Sequence, residues 1–362
     1  MDTEPRAARL KRSPGQLLLA VLSGGLVVAA ALGAEPLGRR SSQTPIPAEL
    51  DWADHGPIFA AGEPGDWDRY LFGGFTTSAV RRNGTTYLYY QGASGYREGA
   101  DETVTFRAIG LATSSDGLHF VKAAANPVLT WTPTDGEEEG AASGAVTLDS
   151  RGVFWLFYGA NTAYSQTQVN ADGRLARSAD GLDFADLGVV LSHQDETIWG
   201  SGDELFPILA LYDGGRWIVY YLPNGGLRGR NLGVAWGAQP DALTHSAGVR
   251  SGLGAVSAWG AAGAAEIGPD EYAIFLNDVG RRRMEVRLMT LDAPHRLSRP
   301  VASYAFDNAT QGTVLLDRPG RAWYLYYRTE GGYGVRLASL GGLELAAPPT
   351  SEALMIEAPR YE

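Results

Sequence analysis

The chain of 362 residues contains no cysteine. That excludes disulfides, thiolate nucleophiles and cysteine-ligated metals, together with a lipoprotein anchor, which needs a cysteine at its processing site. Positive charge is also scarce. The formal net charge is −11 and no long basic run follows residue 40, so the Lys and Arg that a nucleic-acid binder uses to neutralise phosphates are missing. An acidic chain of this kind suits a neutral or cationic ligand. The histidines, His55, His119, His193, His245 and His295, are scattered without metal-ligand spacing. No Gly-rich phosphate loop and no G-x-S-x-G elbow occurs. No cofactor and no metal are expected.

What is plentiful is apolar and aromatic. Hydrophobic residues make up 44% of the chain, with 17 Tyr, 11 Phe, 9 Trp and 47 Gly, a balance that predicts many aromatic strands joined by many turns. The N-terminus differs from the rest. "RAARLKR" is a basic n-region, and no charge occurs from Ser13 to Ala34. Residues 1–34 read as a signal peptide or an uncleaved membrane anchor. Either makes the protein exported: secreted, periplasmic or held on the outer face of the cytoplasmic membrane. Residues 35–49 form a polar, Pro-containing linker.

From residue 50 onward a pattern repeats five times. Aromatic runs recur as "TYLYYQGA" (86–93), "FWLFYGAN" (154–161), "WIVYYLPN" (217–224), "YAIFLNDV" (272–279) and "WYLYYRTE" (323–330). Each reads as a strand buried on both faces. A small-residue strand precedes each, such as "SGAVTLD" or "GTVLLD", and a further strand follows, such as "AIGLATS" or "YGVRLASL". A period of roughly 50–70 residues built from short strands is the signature of a β-propeller. The fold class is therefore all-β: a five-bladed β-propeller of four-stranded antiparallel blades over 50–345, with 346–362 a C-terminal tail available to close the ring. "SSDGLHF" (114–120) and "SADGLDF" (178–184) fall between third and fourth strands. Their Asp-Gly pairs predict tight turns, so Asp116 and Asp180 read as turn formers rather than catalysts. The Gly-His and Trp-Asp signature of WD repeats is absent, and sialidase Asp boxes carry one more residue between Asp and Gly.

The phrases "YLYYQGAS…IGLATSSDGLHF", "GPIFAAGEPGDWDRY…SAVRRNGTTYLYYQG" and "NPVLTWTPTDGEEEG…GVFWLFYGAN" resemble the five-bladed propeller glycosidases of glycoside hydrolase families 43, 32, 68, 62, 117 and 130. The resemblance spans roughly residues 50–345. It implies that carboxylates project from the heads of the innermost strands into a central funnel, one protonating the leaving oxygen and the other activating water or attacking the sugar. In blade three, Glu204, or its rival Asp203, precedes Phe206-Pro207 much as the family acid precedes a Pro. Asp68 in blade one or Glu139 in blade two is then the base or nucleophile. Where the families place an Asp in blade one, this chain has Thr76, which keeps open a non-catalytic glycan-binding or scaffold propeller. Trp67, Tyr70, Trp199 and Trp259 are rings suited to stacking on a sugar, and Asp307 and Gln311 are polar groups able to bond one. The expected partner is a carbohydrate and no nucleic acid, with membrane attachment through the N-terminal segment where that segment is retained as an anchor.

Overall fold

A computed structural model of the chain describes residues 50–72, 77–95, 105–131, 140–165, 168–202, 204–223, 232–250, 259–278, 282–306, 312–317, 322–329 and 331–339. They fall within one compact unit, 41–362. The segments 1–34, 35–49 and 346–362 lie outside the described residues.

The described residues form 21 strands in five antiparallel sheets. Blade one runs β3 (Ser78–Arg82), β4 (Thr85–Gly95), β5 (Thr105–Ser114) and β6 (Val121–Lys122) from the inside out. A short β2 (Tyr70–Phe72) pairs along the same edge of β4 as β3 does. Blade two contains β7 (Ala141–Leu148), β8 (Phe154–Ser165), β9 (Gln168–Ser178) and β10 (Ala185–Leu191). Blade three contains β11 (Leu205–Asp213), β12 (Arg216–Pro223), β13 (Gly233–Gly237) and β14 (His245–Gly248). Blade four contains β15 (Trp259–Gly268), β16 (Glu271–Asp278), β17 (Arg283–Thr290) and β18 (Ala302–Ala305). Blade five contains β19 (Gly312–Asp317), β20 (Ala322–Arg328) and β21 (Gly332–Ser339), and its outer strand is β1 (Ala53–Ala60), from the other end of the domain.

The ring is thus closed by the N-terminal strand β1, which lies antiparallel to β21 from Ala53 opposite Leu337 to Ala60 opposite Gly332. Asp54 fastens the joint. The Tyr327 hydroxyl donates to both of its carboxylate oxygens at 2.9 and 2.8 Å, and Arg336 Nε approaches at 3.3 Å. The innermost strands β3, β7, β11, β15 and β19 touch one another in cyclic order.

The aromatic strands fill the wedges between blades because alternate side chains face opposite sheet surfaces. On β8, Phe154, Leu156 and Tyr158 pack toward blade one, while Trp155 and Phe157 pack toward blade three. On β20, Trp323, Leu325 and Tyr327 face blade four, while Tyr324 and Tyr326 face blade one. The described core accordingly divides into five clusters, one per wedge.

The repeated turns have the same internal bonding. Asp116 Oδ1 accepts from Ser114 Oγ, Leu118 N and His119 N at 2.8–2.9 Å. Asp180 Oδ1 accepts from Ser178 Oγ, Leu182 N and Asp183 N at 2.8–3.1 Å. Gly117 and Gly181 take φ of 78° and 85°, a left-handed conformation open to glycine without strain. Each turn docks on the preceding blade around the ring: Tyr324 Oη donates to the Asp116 carbonyl at 3.2 Å, and Tyr89 Oη to the Gly181 carbonyl at 2.8 Å.

Candidate active site

Within a blade the innermost strand leads away from one end of the ring and the second strand returns to it. The heads of β3, β7, β11, β15 and β19 therefore share one mouth. The innermost strands enclose an axial cavity of about 290 Å³ lined by, among others, Ser78, Arg81, Thr147, Leu211, Gly263 and Thr313. Among the described residues lining it, Arg81 is the one charged side chain and none is a carboxylate. Arg81 itself pairs with Asp317 at 3.6 Å.

Glu204 stands at the head of β11, half-buried, in a parallel bridge with Ala171 of β9. The next residue, Asp172, is buried and holds a histidine that sequence reasoning did not single out. His193 Nδ1 lies 2.8 Å from Asp172 Oδ1, and the His193 backbone N–H donates to the same oxygen at 2.9 Å. Both residues are over 90% buried, His193 at 7% and Asp172 at 8% exposure. An aspartate that accepts from Nδ1–H fixes the imidazole tautomer and leaves Nε2 as the nitrogen for an incoming group. The fold thus brings a glutamate head and a buried Asp-His pair to the junction of blades two and three. The only sequence signal for this was His193 itself, in the link between blades.

Asp68 lies in the seam between blades five and one, 4% exposed. Lys122 Nζ reaches its Oδ2 at 2.6 Å and the Tyr90 hydroxyl donates to it at 3.1 Å. Burial, then the Asp68 charge, pushes the Tyr90 phenol far above its ordinary pKa, so it stays a donor. Lys122 also sits over the Phe59 and Tyr90 rings at 5.7 and 5.9 Å. Asp68 is absent from the axial cavity lining. Trp67 stacks on Tyr90 with centroids 5.8 Å apart, so this ring fills the same seam. Tyr70 opens β2 and is 41% exposed.

Blade four carries two further buried acids on its second and third strands. Asp278, at the mouth end of β16, is fully buried and lies 3.5 Å from Arg283. Glu285 on β17 pairs with Arg283 and, at 2.8 Å, with Arg287. Glu266 is on β15 but near its foot, exposed and away from the mouth. Trp199 lies on the link into β11, and its ring turns outward over Gly248 of β14. Asp203, Glu139, Thr76, Asp307 and Gln311 lie outside the described residues, as does the side chain of Trp259, whose backbone opens β15. No cluster of three or more His, Asp or Glu suited to a metal occurs among the described residues, and no helix there is long and apolar enough to cross a membrane.

No family model and no curated protein matches the sequence. Solved structures do. A family 117 glycoside hydrolase of the marine bacterium Zobellia galactanivorans superposes with a TM-score of 0.54 at 15% identity, covering 86% of this chain and 98% of that one. A glycosyl hydrolase from Bacteroides ovatus gives 0.52 at 16% identity, covering 78% and 91%. A structure from family 130, whose mannoside phosphorylases include hydrolases that target β-1,2 mannosidic linkages in Candida mannan, gives 0.53 at 14%, covering 82% and 95%. At such identities the likeness is one of architecture: the chain shares the five-bladed β-propeller of these glycosidases.

Proposed function

We propose that the protein hydrolyses a glycosidic bond of an oligo- or polysaccharide at the mouth of the propeller, using paired carboxylates. Glycoside hydrolases recur among its structural neighbours. The observation that carries the reading is Glu204, half-buried at the head of an innermost strand and bridged to the residue preceding Asp172. In this reading Glu204, rather than Asp203, is the general acid that protonates the leaving oxygen. Glu139, one residue before Gly140 and β7 in the adjacent blade, supplies the second carboxylate. A separation of about 5–5.5 Å between the two would make the reaction retaining, and about 6.5–9.5 Å inverting. Asp68, held by Lys122 and Tyr90, maintains the seam between blades five and one. The Asp172–His193 pair positions the segment that carries Glu204. Export through residues 1–34 places the reaction outside the cytoplasm, which fractionation of tagged full-length protein tests.

A second reading has its own support. The described lining of the axial cavity contains no carboxylate, and a propeller that binds glycan without cleaving it has no need of one there. Purified protein incubated with aryl-glycosides and polysaccharides separates the two. The hydrolase reading expects turnover that Glu204→Gln removes. Binding with no turnover across the panel favours the second.

A further inference from the structure

A second cavity lies off the axis. A cleft of about 510 Å³ opens on the outer flank of blade three, where β14 meets the turn before β18. It shares no residue with the axial cavity. Trp199, Trp236, Ser246, Gly248, Arg250 and His295 line it.

Trp199 is fixed from behind. Its backbone N–H donates to Ser246 Oγ at 3.0 Å, its carbonyl accepts from Tyr221 Oη at 2.8 Å, and those two hydroxyls are 2.7 Å apart. The indole lies flat enough on β14 that a β-carbon at Gly248 would sit 2.5 Å from its Cε2. Trp236 stacks with two imidazoles, His245 at 5.3 Å and His295 at 5.7 Å. The cleft therefore has a rigid aromatic floor and wall, the geometry on which the apolar face of a pyranose stacks.

Its rim is positive in a chain of net charge −11. Arg250 and Arg296 face each other in a parallel bridge, with the Arg250 N–H on the His295 carbonyl at 2.7 Å. Both are exposed, and neither has a carboxylate partner among the described residues. The adjoining stretch 251–258, "SGLGAVSA", contains no Asp or Glu. Both guanidiniums reach into the cleft electrostatically: after burial, they are what lowers the pKa of His295.

We propose that this cleft is a second, non-catalytic glycan site that takes an acidic sugar, with the ring of a uronate on Trp199 and its carboxylate on Arg250. The choice of a glycan rests on the function proposed above, whereas the preference for an anion rests on the two arginines. A guanidinium-carboxylate pair is bidentate and charge-assisted, and its loss weakens binding by about tenfold or more.

The test is titration of the full-length protein, by tryptophan fluorescence and calorimetry, with oligogalacturonate and with a neutral galacto-oligosaccharide of equal length. Oligogalacturonate should bind more tightly than the neutral chain. Arg250→Gln, on the exposed rim, should weaken it about tenfold and leave the neutral chain unchanged. Trp199→Ala should weaken both. Glu204→Gln should leave the Arg250-dependent binding intact while removing hydrolysis. Equal affinity for the two oligosaccharides, no binding at all, or binding untouched by Arg250→Gln overturns the proposal. Absence of turnover by the wild-type protein, with this binding retained, counts against the hydrolase reading and not against this site.

Discussion

The repeated turn of blade two predicts a difference between two glycines of nearly equal backbone geometry. Gly181 has φ of 85° and Gly84 has φ of 82°. An alanine at either position accepts a left-handed conformation at about 1 kcal/mol. Around Gly84 nothing lies within 4 Å of an added β-carbon, whereas at Gly181 that atom would sit 2.8 Å from Tyr89 Oη and 2.9 Å from Phe154 Cζ. Both rings belong to the wedge between blades one and two, so neither can swing into solvent. Overpacking of this kind costs about 1–3 kcal/mol. It also strains the bond from Tyr89 Oη to the Gly181 carbonyl. Gly84→Ala should therefore cost about 1 kcal/mol and Gly181→Ala about 2–4 kcal/mol in total. Urea unfolding followed by tryptophan fluorescence reads the gap as a shift in midpoint at constant slope. Midpoints that coincide would refute the docking of this turn on blade one, and with it the physical reason given for the repeated phrase.

Asp68→Asn should destabilise the protein by about 2–3 kcal/mol, below the ~3–5 of a fully buried pair, because Lys122 keeps 29% of its side chain exposed. The double variant Asp68→Asn, Lys122→Met should recover part of that loss in a double-mutant cycle. Alkaline stability should fall above about pH 10. Burial raises Tyr221, Tyr304 and Tyr327 from 10.0 to about 12, and Asp54 adds to the rise at Tyr327. The unfolded chain then loses these protons first, so their contribution is complete below the unfolded pKa and is lost as pH climbs toward 12. Tyr327→Phe should flatten that limb in urea midpoints taken across the range. The opposite sign holds for Asp180, whose pKa is lowered by the Leu182 N–H, then the Asp183 N–H and Ser178 hydroxyl. Its contribution is present above about pH 3.9 and is lost as pH falls through the lowered value, so Asp180→Asn should flatten the acid limb.

The second strands were legible because both of their faces are buried, which leaves continuous aromatic runs in the sequence. β8 and β20 show this most clearly, each dividing its rings between two wedges. The turns at Asp116 and Asp180 were legible because their bonding is local, within three residues. Ring closure was not. "ADHGPIFA" borders blade one in sequence, yet as β1 it pairs with β21 almost the whole domain away, and nothing local records that partner. The site was legible only in part, for the same reason. Glu204 could be placed from its strand, but Asp172 and His193 are 21 residues apart and meet only because the link after β10 passes β9. Trp199 is one of the rings that the sequence offers for stacking on a sugar, and it lies on the link into β11. Gly248, on another strand, is what gives its indole room on the outer flank.

The most direct test of the central claim is the hydrolysis rate of purified wild-type protein and Glu204→Gln on an unactivated oligosaccharide, found through the glycan panel. Loss of a general acid predicts a fall in kcat of about 10²–10⁴-fold with the fold and the thermal midpoint retained. Turnover by the variant at the wild-type rate would contradict the account.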